Sequence, residues 1–161
     1  AVPRTAGFNA VNIASITQGT ILISLFLMWI GGAPNSTAGG IKITTFSLAV
    51  LNVISLAKGK ERLEVFDREI TISSIQRSYV VIFLSFMILG VGMFLITIFD
   101  PGIPLQMIAF ECFSAYATVG LSLNLTPMLS DNSKWVIIML MFVGRVGLFT
   151  ILFGFFSKDR I

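Results

Sequence analysis

From Tyr79 to Phe99 the chain carries no charged residue. A helix needs about 20 predominantly apolar residues to cross a bilayer, and this stretch supplies them. Trp135 to Phe156 is a second such stretch, interrupted only by Arg145. Composition points the same way, with 55% apolar and 12% charged residues, against about a quarter charged in an ordinary soluble domain. Phe (15 residues) and Gly (14 residues) are both abundant, a pairing that membrane helices tolerate because Gly permits close helix contact. The expected fold class is an all-α integral membrane protein.

A third apolar region, Ile21 to Ala57, is split by Gly31, Gly32, Ala33, Pro34, Asn35, Ser36, Thr37, Ala38, Gly39 and Gly40. Four glycines and a proline make this a poor helix, so the region reads as two half-helices joined by irregular backbone. Between the two clean spans, Leu105 to Tyr116 is a shorter apolar run behind Asp100-Pro101-Gly102. A run of about 10–14 residues is too short to cross and suits a re-entrant segment. A glycine-containing strip, Thr118 to Asn124, follows it. The order of span, short helix, Gly strip and span is that of a pore loop between two membrane helices.

Charge sets the orientation. Lys58, Lys60, Arg62, Arg68 and Arg77 cluster in one connection, and Lys158 and Arg160 lie in the tail. The connection from Asp100 to Lys134 holds only Lys134 as a basic residue. The positive-inside rule then places 58–77 and the tail in the cytoplasm, with the short helix and strip entering from outside. The net charge of +3 is small and clustered, which fits a membrane margin and not a nucleic-acid face. The chain has no His and a single Cys, Cys112. An internal disulfide is therefore excluded, and acid–base catalysis or a His/Cys metal site has little to work with. No enzyme activity and no resident cofactor are expected.

A shift of 113 residues aligns Thr5-Ala6-Gly7-Phe8 with Thr118-Val119-Gly120-Leu121, and Met28–Gly31 with Met141–Gly144. The expected organisation is the end of one repeat at 1–57, a cytoplasmic connector at 58–78, and a complete repeat at 79–161. The first of these begins at its Gly strip and the chain does not start with Met, so a fragment of a longer protein is expected.

A cation filter needs backbone carbonyls that replace the hydration shell of the ion. Gly7 and Gly120, each two residues after a Thr, can turn carbonyls inward and leave the path clear. The C-terminal end of the short helix would favour cations there. The Gly31–Gly40 segment reads as a movable constriction, since irregular backbone at membrane depth survives only inside protein or beside a watery cavity. Arg145 lies roughly 15 Å from the nearer membrane edge, beyond easy snorkelling. It is therefore expected to face the path or a partner, where its charge acts as a barrier or latch. Lys42 is read as a helix-end lysine that snorkels. For Glu111 two readings stay open: a brace that accepts backbone N–H bonds from the strip, or a group facing an outer watery rim. The charged connector is read as solvated, with a docking surface for a cytoplasmic partner as the sharper alternative.

With these residues in hand, the chain resembles the Trk/Ktr/HKT superfamily of potassium and sodium transporters. Pro3-Arg4-Thr5-Ala6-Gly7-Phe8-Asn9 is similar to the third filter strip of that family, and Gly31–Lys42 to its intramembrane gating loop. Ser114–Ser122 is similar to the fourth strip, and Gly144-Arg145-Val146-Gly147 to the arginine-bearing last helix. The resemblance implies four membrane helix–pore loop–membrane helix repeats, of which this chain holds the C-terminal one and a half. It implies filter residues Thr5, Ala6, Gly7, Phe8, Thr118, Val119, Gly120 and Leu121. The transported K+, or Na+ in a relative, would sit at the backbone carbonyls of Thr5, Ala6, Thr118 and Val119. The gate would be the Gly31–Gly40 loop with Arg145. Implied partners are membrane lipid, the remaining repeats, a second copy in a homodimer and a cytoplasmic nucleotide-binding regulatory subunit. The implied location is the bacterial cell membrane, crossed several times. The alternatives are a sodium-translocating relative and a non-conducting membrane scaffold.

Overall fold

A computed structural model describes residues 17–33, 39–59, 64–65 and 68–146. The described chain is helical apart from one very small hairpin: α1 (Gln18–Trp29), α2 (Ile43–Ala57), β1 (Glu64–Val65), β2 (Arg68–Glu69), α3 (Ile72–Phe99), α4 (Leu105–Tyr116) and α5 (Asp131–Val146). The hairpin pairs Glu64 with Glu69 and Val65 with Arg68 in antiparallel register. It lies in the stretch read from sequence as a plain connector.

The uncharged run lies within α3, whose 28 residues make a rod about 42 Å long at 1.5 Å per residue. That exceeds the hydrocarbon core of about 30 Å. The surplus is at the N-terminus, where Ser73, Ser74, Gln76 and Arg77 extend the helix before the apolar run begins. These polar residues suit a helix end that has left the hydrocarbon. Mean hydropathy over the most apolar window is 2.6, yet only 22% of that window is buried. Phe83, Phe86, Phe94 and Ile98 stand exposed along it. In water such a surface would cost about 25 cal/mol per Å²; lipid or further protein removes that cost. α5 likewise exposes Trp135, Met139 and Phe142.

α4 has the bounds expected for the short helix. Pro101 and Gly102 (φ 108°) reverse the chain after α3, and Pro104 caps the new helix. Twelve residues span about 18 Å, half of a crossing. Unlike α3, this helix is enveloped: Ile108, Phe110, Glu111, Cys112, Ser114, Ala115 and Tyr116 are all buried, between α1, α3 and α5. At Gly92 a Cβ would come within 2.8 Å of Leu140, so α3 and α5 approach closely at that point.

α1 and α2 are the two half-helices expected on either side of the Gly-rich segment. The segment leaves and returns at one place, because the Gly31 N–H donates to the Ile41 carbonyl (2.8 Å) and the Ile43 N–H to Gly32 (3.2 Å). Trp29 anchors this junction. Its indole N–H donates to the Ser85 hydroxyl at 3.2 Å, and its ring meets Phe86 at 4.5 Å and Phe46 edge-on at 6.0 Å. α2 is tied to α3 through Asn52, which donates to the Tyr79 hydroxyl at 2.9 Å.

Asp100, at the end of α3, ties that end of the helix to the start of α5. It accepts from the Ser130 N–H (3.1 Å) and the Ser130 hydroxyl (3.0 Å), just before α5. Hydrogen bonding from Ser133 above all, then from Ser130, holds its carboxyl below the usual carboxylate range. A carboxyl lowered on folding stabilises the fold above its unfolded value of about 3.9 and ceases to do so as pH falls through the lowered value. Asp100→Asn is therefore expected to lower the melting temperature at neutral pH in detergent. The difference from wild type should shrink as pH falls below about 4, and a pH-independent difference in thermal melts would contradict this assignment.

Candidate functional site

The strip that follows α4 is held to that helix by its own backbone. The Ala117 N–H donates to Phe113, Thr118 to Ala115 and Val119 to Ser114, at 2.9–3.0 Å. A trans peptide sets its N–H and C=O on opposite sides. The Val119–Ser114 bond therefore turns the Thr118 carbonyl away from α4. Thr118 (φ 53°) and Gly120 (φ 84°) both lie in the left-handed region, while Val119 and Leu121 do not. For a β-branched residue such as Thr118 this conformation is an outlier, and it costs about 1–3 kcal/mol.

Side chains then alternate. Val119, Leu121, Leu123 and Leu125 are buried, whereas Gly120 and Asn124 are exposed and Thr118 and Ser122 half-buried. The first three pack with Met28, Phe110 and Ala117. The strip thus turns its leucines and valine into the core and leaves Gly120 and Asn124 outward. The Leu121 carbonyl is held toward α4, where it accepts from the Ser114 hydroxyl at 2.5 Å.

Glu111 decides between its two readings. It is 5% exposed. One oxygen accepts from the Ser122 hydroxyl and from the Leu123 N–H (3.2 Å), and the other from the Thr126 hydroxyl (3.3 Å). It braces the strip from behind.

The Gly-rich segment meets the strip at Thr118. The Gly39 N–H donates to the Thr118 hydroxyl at 3.0 Å. A Cβ on Gly39 would lie 2.9 Å from both that hydroxyl and the Tyr116 carbonyl. Gly40 (φ 75°) rests on Ala117, and a Cβ on Gly31 would come within 2.4 Å of the Gly39 carbonyl. Both ends of the segment therefore need glycine for close approach. Of the residues expected to form the gate, Gly31, Gly32, Ala33, Gly39, Gly40 and Arg145 are described. Pro34, Asn35, Ser36, Thr37 and Ala38 lie outside the described residues, as do Thr5, Ala6, Gly7 and Phe8 of the other strip.

Arg145 and the strip share one space. A cavity of about 370 Å³ is lined by Thr118, Gly120, Met141, Phe142 and Arg145. The residue before Arg145 makes that placement possible. A Cβ on Gly144 would lie 1.9 Å from the Tyr116 carbonyl, so α5 touches the end of α4 through bare backbone. Among the described residues no cluster of His, Cys, Asp and Glu could hold a metal ion.

This geometry joins a half-length buried helix, the Gly-containing strip that follows it and a cationic side chain at a shared cavity. Comparison with known families finds the pattern described as "TrkH: Cation transport protein" over residues 2–160. The chain belongs to the TrkH cation transport protein family. It is 43% identical to the Ktr system potassium uptake protein B of Bacillus subtilis, over 98% of this chain and 35% of that protein. It is 38% identical to the potassium/sodium uptake protein NtpJ of Enterococcus hirae, over 97% of this chain and 35% of that protein. Identity to the Ktr system potassium uptake protein B of Vibrio alginolyticus is 37%, over 92% of this chain and 32% of that protein. This TrkH-family chain thus spans about a third of the length of the relatives it matches. Its family is one of membrane cation transporters and not of enzymes.

Two features of the TrkH-family site went unread in the sequence. The alternation Thr118, Gly120, Ser122, Asn124 against Val119, Leu121, Leu123, Leu125 is a period-two signal that would have shown which face of the strip is anchored. The Gly144–Tyr116 contact had no such signal, since nothing local distinguishes a packing glycine. Gly144→Ala is expected to push α5 off α4 and to destabilise the protein by roughly 3 kcal/mol, read as a lower melting temperature in detergent. A wild-type melting temperature would place the contact elsewhere.

Proposed function

We propose that this chain supplies part of a potassium-conducting pore, with Thr118, Val119, Gly120 and Leu121 as one filter strip and Thr5, Ala6, Gly7 and Phe8 as another. The observation that carries the reading is the shared cavity: Thr118 and Gly120 face the same space as Arg145. The Thr118 carbonyl is turned away from α4 by the Val119–Ser114 bond and lies beyond the negative C-terminal end of that helix. A dehydrated cation fits those two features and an anion does not. The carbonyls of Thr5, Ala6, Thr118 and Val119 are the proposed K+ ligands. The relatives are potassium uptake proteins by name, which favours K+ as the cargo. The Enterococcus hirae relative is named for both potassium and sodium, and this keeps a sodium-translocating pore as the second reading.

The Gly31–Gly40 loop, held to Thr118 through Gly39, and Arg145 form the proposed gate. A guanidinium facing a cation path raises the electrostatic barrier to permeation. The complete pore would comprise four helix–pore loop–helix repeats, 1–57 and 79–161 belonging to the last two. A homodimer in the cell membrane with a cytoplasmic nucleotide-binding regulatory subunit is the proposed assembly.

Flux assays on the full-length protein in liposomes test both parts. Gly120 has no heavy atom within 4 Å of where a Cβ would stand, so a new side chain there enters the open space. Gly120→Ala and Gly120→Ser are both expected to slow K+ uptake, and Ser to lower the K+ over Na+ preference further. An unchanged preference in both variants would remove Gly120 from the path. Arg145→Ala, and separately a shortened loop between Ala33 and Gly39, should each raise flux. Combined, they should give less than the product of the single gains, because both remove one barrier. Gains that multiply would show two independent elements.

A further inference from the structure

Behind the outer half of the strip sits a buried carboxylate that the filter and gate do not use. Glu111 projects from the middle of α4 and is 5% exposed. Its three partners, Ser122, Leu123 and Thr126, all lie in the segment after Gly120. In each contact a Glu111 carboxyl oxygen is the acceptor. The Ser122 hydroxyl, while donating to Glu111, also accepts from the Asn124 N–H at 3.1 Å. Asn124 itself sits at φ 61°. One side chain thus gathers a segment that has no α-helix or strand of its own.

The consequence for coordination follows from peptide geometry. With the Leu123 N–H directed back at Glu111, the planar trans peptide points the Ser122 carbonyl the opposite way. The Ser122 side chain itself turns back to Glu111, so at this residue only the carbonyl is directed away from it. The Leu121 carbonyl before it is withdrawn toward α4 by Ser114. The strip therefore offers two carbonyls from fixed peptides, Thr118 held by Ser114 and Ser122 held by Glu111.

We propose that Glu111 is a positioning residue for cation selectivity, which holds the Ser122 carbonyl toward the ion path as an additional, outer coordination position. The inference rests on the reading of the strip as lining that path. Discrimination between two ions of different radius requires carbonyls whose positions resist adjustment. A peptide released from Glu111 can rotate to suit the smaller ion.

The test is K+ and Na+ uptake by the full-length protein in liposomes, with folding checked by monodispersity in detergent. Glu111→Gln keeps an oxygen within reach of Ser122 and Leu123 and is expected to hold the K+/Na+ preference within about twofold of wild type. Glu111→Asp withdraws the carboxylate by one methylene. It should raise the KM for K+ and lower the preference roughly tenfold, the loss of about one hydrogen bond, while the maximal rate changes less. Thr126→Ala removes one donor to Glu111, and Ser122→Ala removes another together with the acceptor for the Asn124 N–H; neither touches the core, and each should shift the preference in the same direction by a smaller factor. These two variants carry the test if Glu111→Asp does not fold. A purely structural role would lower uptake of both ions together and leave their ratio intact; that result, or a Gln variant as impaired as Asp, overturns the proposal. Wild-type protein that takes up neither ion would overturn the reading of the strip, and this inference with it.

Discussion

Irregular backbone within a bilayer lasts only where its N–H and C=O groups find partners in the protein. Two segments of this chain break from helix beside a span, and the described backbone of each is tied through a few specific bonds. The Gly-rich segment closes its own neck, Gly31 to Ile41 and Gly32 to Ile43. The strip after α4 is held by Ser114 and Ala115 at its start and by Glu111 further out. Remove those acceptors and the neck of the Gly-rich segment and the strip lose their partners, for which hydrocarbon offers no replacement. The buried condition of α4 follows from the same need: it must stand inside protein to present acceptors to the strip.

Bare backbone contact does the rest. Gly144 against Tyr116, Gly39 against Tyr116 and Thr118, and Gly31 against Gly39 bring four chain segments within van der Waals reach at the end of α4. The Tyr116 carbonyl is near two of these glycines, so the C-terminal turn of α4 is where loop, strip and last helix converge. Side chains of ordinary size would separate them, and Arg145 would no longer look into the cavity that Thr118 and Gly120 line.

Much of this was legible in the residues. The uncharged run found α3, and the Asp100-Pro101-Gly102 turn followed by a short apolar run found α4 to its bounds. Four glycines and a proline in one short stretch found the break between α1 and α2. The start of α3 was placed late, because charge marks where hydrocarbon ends and not where helix ends; Ile72 to Ser78 is helical yet polar. The hairpin at Glu64–Glu69 was missed because two-residue strands leave no periodicity to read. At the site, Thr118, Gly120 and Arg145 were singled out by type and depth, and they do share a cavity. The role of Glu111 stayed open in the sequence, since one helical carboxylate can face water or backbone with the same spacing. What decided it was which N–H groups lay within reach, a property of the folded strip.

The bond from Gly39 to the Thr118 hydroxyl has a thermodynamic consequence. Whatever moves Gly39 changes the surroundings of a strip residue, and binding free energies couple reciprocally between two such points. If loop position alters how tightly an ion sits at Thr118, then occupancy by the ion must alter loop position by the same factor. On the proposed reading of the strip and loop, a transported ion would then act as its own effector, and the concentration of cargo at the mouth would help set the fraction of open pores.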